Sequence, residues 1–483
     1  MKFVQEINGR NPLGYRNIRK LLISFAIPSI TAMLVTAIYN IVDQIFIGWG
    51  VGYLGNAATN VAFPLVTLST ALALLCGNGC AAKMSLELGA GNQQKARQVV
   101  GTGILLLSIL GVGLLVLVQV FLEQLLPAFG STADVLPYAR DFVRAISFGL
   151  PFIVFTIGFS AVIRADGNPK YAMFCVVLGA LLNIVLDPIF LFWLHLGVFG
   201  VGLATSISQF ISFCLMAVYI PRMRNIHISL GCMQLKHRNC AAIFSLGMSH
   251  FINQFSMMIV QIALNNSLTH YGALSAYGSD IPLACSGLVA KVNTIVMAFV
   301  VGLAQASQPI VGFSYGAGQY ERTRRTIRYT ISAATAVSVV SFLIFQIFPR
   351  QIIGLFGNGS ALFFSFSERY FRIYMFFTFL NGIQPACSNI FTSMGKAKKG
   401  AFLALTRQIV CLLPLILVLP IFMGLDGILY SGPAADAIAA GLSIWMISRE
   451  MKHMRLLEEK RNLEEEPLFC STEETERADD SDG

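Results

Sequence analysis

The second half of this chain repeats the first at an offset of about 228 positions, and that repetition restricts the fold more than any other feature. Phe129-Gly130 recurs at Phe356-Gly357, and "FVRAISFGLPF" from Phe142 recurs as "YFRIYMFFTFL" from Tyr370, which sets Arg144 on Arg372. "GAGNQQKAR" (Gly89 to Arg97) returns as "GAGQYERTR" (Gly316 to Arg324), and "RADGNPKYAMF" from Arg164 returns as "TSMGKAKKGAF" from Thr392. Pieces held in one order at one offset imply a duplicated bundle, with any substrate path lying between its halves.

The surroundings of that bundle follow from composition. Of 483 residues, 55% are hydrophobic and only 12% are charged, a balance that requires lipid over most of the surface. Apolar runs long enough for a bilayer helix fall at about 19–45, 60–86, 99–122, 138–163, 171–193, 199–220, 241–268, 282–306, 326–348, 366–391, 399–423 and 427–448. The expected fold is therefore all-α and polytopic, with twelve transmembrane helices in two pseudo-symmetric six-helix lobes. Because six is even, both halves start from the same face, and the repeat is parallel. The expected divisions are an N-terminal segment 1–18, a first lobe 19–222, a linker 223–239, a second lobe 240–450 and an acidic, disordered tail 451–483.

Basic residues set the direction. About 27 of the 34 lysines and arginines flank the spans on one face and about five lie on the other (Arg140, Arg144, Arg350, Arg369, Arg372). By the positive-inside rule the crowded face is cytoplasmic and both termini lie inside. The net charge of +9 is spread in short clusters between apolar runs, which argues against nucleic acid as a partner. The ten cysteines lie mostly within apolar runs, with no CxxC spacing, and are expected to be packed thiols. Six scattered histidines form no close pair at ligand spacing, so an enzyme is not expected.

Ionisable groups inside a bilayer are expensive and mark function by default. Asp43 stands in "YNIVDQIFIG" towards the far end of the first span, and Asp187 in "NIVLDPIF" of the fifth. Asn183 precedes Asp187 by four residues and so shares its helix face. Thr205 lies about two turns into the sixth span. At 1.5 Å rise per residue, all four reach similar depth in the outer half of the first lobe. Two carboxyls, an amide oxygen and a hydroxyl are hard donors suited to Na⁺, and two carboxyls sharing an apolar site equally suit a shared proton. Pro28 should bend the first helix, which also carries Asp43. Lys291 and Arg407 lie within the eighth and eleventh spans, where they line a cavity or pair structurally. Asp436, beside Pro433 in the last span, is a further polar candidate with a bond to a neighbouring helix as its alternative.

At these residues the chain resembles the MATE family of multidrug and toxin extrusion transporters, nearest its bacterial MepA-like and DinF-like members. The resemblance rests on "YNIVDQIFIGWGVGYLG" after a proline-bearing first span, "RADGNPKYAM", "NIVLDP", "GLAQASQPIVGFSYGAGQYER", "TRQIVCLLPLILVLP" and "GILYSGPAAD", in that order, and covers about Leu21 to Arg449. It implies two lobes around a cleft open to one side at a time, and export of amphipathic, often cationic small molecules by Na⁺ or H⁺ antiport, with no other cofactor. It maps the family's cation site onto Asp43, Asn183, Asp187 and Thr205, and a bendable helix onto Pro28. Some relatives use carboxylates in spans seven and ten. Here 241–268 has none, and the tenth span has only Glu368 near its mouth. A monomer in a bacterial cytoplasmic membrane is the expected setting. The alternative function is a flippase for a lipid-linked oligosaccharide or another amphipathic metabolite, for which two intramembrane basic residues are few.

Overall fold

The structure, a computed structural model, describes residues 11–479 apart from 130, 132, 229, 279 and 355–360, with side chains to 460 except at 53, 230 and 280. Residues 1–10 of the N-terminal segment, 480–483 of the tail, and the Phe356-Gly357 copy of the repeated dipeptide lie outside the described residues.

The first lobe comprises Ile18–Gly50, Tyr53–Gly89, Gln93–Ala128, a fourth span in two pieces (Leu136–Ser147 and Leu150–Ala165), Pro169–Pro188 and Gly197–Tyr219. The second comprises His237–Ala273, Asp280–Gly316, Tyr320–Ile347, a tenth span in two pieces (Ala361–Tyr374 and Ile383–Ser393), an eleventh (Ala397–Leu405, a π-helical stretch Thr406–Leu412, then Leu413–Met423) and Leu425–Asp479. Repeated sequence has become repeated geometry. The second glycine of each Gly-Ala-Gly turn, Gly91 and Gly318, has positive φ (79° and 71°), and so do Gly167 and Gly395 in the other repeated loop (88° and 80°). Each left-handed residue lets the next N–H reach back five residues: Asn92 to Glu87, Gln319 to Ser314, Asn168 to Ile163 and Lys396 to Phe391, at 2.8 to 3.2 Å. These bonds close carbonyls that a helix end would otherwise leave unpaired.

Three expectations are corrected, the first being the tenth span, which is not one run over 366–391 but two helices, Ala361–Tyr374 and Ile383–Ser393. The fourth span is not one run over 138–163 but two helices bent by 54°. Pro151 supplies no N–H to the helix, and Gly149 lies so close to the sixth span that a Cβ there would meet Ser206 Oγ at 2.6 Å. The tail does not begin at 451: the last helix continues, with Ile447 and Met454 buried in the second lobe and Glu458 paired to Arg324. Ile447, Met451 and Met454 recur at helical spacing, so one face still packs after the membrane run has ended. Pro28 is buried within the single helix Ile18–Gly50, which continues on both sides of it.

Among the described residues, the buried cluster that joins the two lobes lies towards one face. One buried cluster joins Leu21, Leu22, Ala81, Met84 and Ile163 of the first lobe to Ile243, Ile310 and Phe313 of the second. All lie in the half of the bundle nearest the basic loops. Towards the opposite face each lobe has a core of its own, around Ile47, Leu114 and Leu150 in the first and around Leu264, Phe371 and Ile416 in the second. The joint is built on glycine: a Cβ on Gly247 would lie 1.7 Å from the Leu75 carbonyl oxygen, and one on Gly79 2.1 Å from that of Ile243. Small residues permit this backbone approach, the usual means of helix association where lipid removes the hydrophobic drive. Buried Gln308 adds a bond across the joint, donating to the Asn78 carbonyl at 3.1 Å.

Candidate functional site

The first span packs along the fifth, and the fifth along the sixth, which carries Asp43, Asn183, Asp187 and Thr205 to one place in the half of the first lobe away from the basic loops. Local sequence shapes the floor of this site. Pro188 gives no N–H to the Ile184 carbonyl, and the helix widens after Asp187 into a π turn, Ile189–Trp193, closed by Leu194 N–H on the Ile189 carbonyl at 3.0 Å.

Hydrogen bonds define what the cluster lacks. Asn183 Nδ2 donates to Asp187 Oδ1 at 3.2 Å and to Thr205 Oγ1 at 3.3 Å. The Thr205 hydroxyl donates its own proton to the Val201 carbonyl at 3.1 Å. The hydrogens of both side chains are thus committed. Three oxygens remain buried with no hydrogen-bond partner: Asp43 Oδ1, Asp187 Oδ2 and Asn183 Oδ1. Asp187 is fully buried, and Asp43 is near enough for the two carboxyl charges to feel each other. Among the described residues no ion pair reaches either of them. Two neighbouring carboxyls with buried oxygens and no basic partner favour a proton or a bound cation. The set is all oxygen, and among the described residues no group of three or more His, Cys, Asp or Glu is placed to hold a metal ion. That chemistry fits Na⁺ or a proton and not a soft transition metal.

The remaining polar candidates lie apart from this cluster. Arg407 Nε pairs with Asp436 Oδ1 at 2.6 Å, joining the eleventh span to the twelfth, and both side chains are largely buried. Lys291 is exposed and makes no ion pair among the described residues. Glu368 of the tenth span pairs with Arg350 at 3.6 Å.

Two polar groups escaped the sequence reading. Tyr39, one turn before Asp43, is close enough to both carboxyl groups to feel their charge, and its i,i+4 spacing to Asp43 was the available signal. Asp166 is fully buried and accepts bonds from Tyr219 Oη (2.8 Å), Arg224 N (2.7 Å) and Asn225 N (3.0 Å), which tie the loop after the fourth span to the start of the linker. Burial pushes its carboxyl up, against the pull of those bonds.

Two six-span lobes joined through a buried cluster near the basic face, with an oxygen cluster in one of them, define a polytopic membrane protein of the two-lobed carrier type. A family profile for MatE matches residues 28–189 and 250–418. The chain belongs to the MatE family. It is 25% identical over 439 residues to the multidrug export protein MepA of Staphylococcus haemolyticus (strain JCSC1435), spanning 89% of this chain and 93% of that one. With the MepA of Staphylococcus aureus (strain MRSA252) it shares 23% over 434 residues, spanning 89% and 94%. The fold matches an outward-facing multidrug resistance MATE transporter of the MOP superfamily with a TM-score of 0.85 at 23% identity, covering 94% of this chain and 99% of that one.

Proposed function

We propose that this protein exports amphipathic, often cationic, organic compounds in exchange for inward Na⁺ or H⁺, as a monomer in a bacterial cytoplasmic membrane with the basic face inside. The observation that carries the reading is the trio of unpartnered buried oxygens on Asp43, Asp187 and Asn183. Carboxyl and amide oxygens buried without donors gain most from a bare cation or a proton, and each would relieve the repulsion between the carboxyls. Membership of the MatE family and the likeness to MepA proteins support multidrug export as the work that this binding drives.

The cycle follows from differential affinity. In this cycle the packing across Gly79 and Gly247 supports a state closed at the basic face, from which substrate would leave outwards while a cation reaches Asp43 and Asp187. Occupation of the pair then favours reorganisation of the first lobe, and the state open to the cytoplasm follows. Coupling of this kind requires the cation to bind the two states unequally. The test is ethidium efflux from cells carrying Asp43→Asn or Asp187→Asn, with membrane abundance measured alongside. Each variant should lose gradient-driven efflux at wild-type abundance, and normal efflux in both would overturn the proposal. Proteoliposomes with pH and Na⁺ gradients imposed separately then identify the ion.

A further inference from the structure

The basic face carries a second site that the transport reading does not use. A cavity of about 450 Å³ opens where the loop before the eleventh span meets the far end of the twelfth. One wall is a single helix face: Trp445, Arg449 and His453 follow at i, i+4 and i+8, with the Arg449 guanidinium over the Trp445 ring at 5.9 Å. The other wall is the pair Lys396 and Lys399, presented by the turn at Gly395. Met446 extends the apolar part of the lining.

The charges do not balance. Among the described residues Glu450 is the only acid that lines the cavity; it is 2% exposed and already bonded by Lys396 and, at 2.7 Å, by Lys399. Burial alone would raise its carboxyl, but those bonds outweigh burial and hold it below the ordinary range, so it stays anionic. Lys396, Lys399 and Arg449 against Glu450 leave two positive charges, with a half-exposed imidazole at the rim. The remaining volume suits a ligand of small-molecule size. The place is also particular: Trp445, largely exposed, sits where the membrane run gives way to water, the level at which tryptophan anchors and lipid phosphates are found.

We propose that this cavity binds the phosphate headgroup of an anionic phospholipid of the inner leaflet, with Arg449, Lys396 and Lys399 around the phosphate and the first part of the acyl chain against Trp445 and Met446. Basic pockets between membrane helices on the cytoplasmic side recognise such headgroups through concentrated charge. Because the twelfth helix carries one wall and the loop after the tenth span the other, a bound lipid would tie the two together.

The experiment is native mass spectrometry of the purified full chain mixed with equal amounts of phosphatidylglycerol and phosphatidylcholine. The wild type should retain one phosphatidylglycerol in preference. Arg449→Gln should weaken that retention about fivefold, and Arg449→Lys should largely restore it. Lys452→Gln, which removes an exposed charge of the same helix outside the cavity, should leave it unchanged. Equal retention of both lipids, or equal loss in Arg449→Gln and Lys452→Gln, would overturn the proposal. Displacement of the lipid by millimolar inorganic phosphate would overturn it in favour of a soluble phosphate site. Arg449→Gln leaves Glu450 with both of its lysine partners, so the fold is kept.

Discussion

Replacing Gly247 by alanine should open the basic face. A Cβ there would stand 1.7 Å from the Leu75 carbonyl oxygen and 2.5 Å from its carbonyl carbon, where ordinary contact begins at 3.4 Å. The obstruction is backbone, so no rotamer change relieves it, and the second and seventh spans must part by more than about 1.5 Å. Overpacking of this kind costs about 1–3 kcal/mol, and rigid backbone on both sides places this site at the upper end. The strain exists only while the lobes are packed at this face. About 3 kcal/mol would therefore shift the balance between closed and open by roughly a hundredfold. Spin labels on Lys170→Cys and Lys398→Cys, exposed positions in corresponding loops of the two lobes, would report the change as a longer distance population in electron–electron resonance. Gly287→Ala is the control, since nothing lies within 4 Å of the added carbon. An unchanged distance distribution in Gly247→Ala, with wild-type efflux, would refute the argument that glycine contact closes this face.

Other consequences follow from the polar contacts. Arg407→Leu should destabilise the second lobe by about 3–5 kcal/mol by leaving Asp436 buried and unpaired, while Arg407→Leu with Asp436→Leu should recover much of the loss. Thermal unfolding in detergent measures both, and a double variant no better than the single would sink the pairing argument. Asp166→Ala should release the linker start, since each buried donor left unpaired costs about 1–3 kcal/mol. Faster tryptic cleavage at Arg222 and Arg224 would register it, and an unchanged cleavage rate would show that the loop is held by other means.

Much of the architecture was legible from one dimension. Apolar runs of bilayer length and their division six and six are local properties, written in composition. Part of the site was legible too, because depth along a helix follows from residue count: Asp43, Asn183, Asp187 and Thr205 come to one level by arithmetic, and the structure brings them together. The duplication indicated equally where the halves differ, since Asp187 moved by 228 positions falls on Leu415 and Asn183 on Cys411.

What count alone does not supply is rotation about each helix axis and the identity of the neighbour, and these only the tertiary structure decided. Arg407 found Asp436 because the eleventh and twelfth spans turn those faces together. The fourth span broke where Gly149 meets the sixth, a contact invisible to hydropathy. The last helix outlasted its membrane run because Met454 had a core to enter. Apolar side chains are cheap against either lipid or protein, so sequence could place the helices in the membrane. Which of them touch through backbone, and which oxygens are left without hydrogens, depended on packing.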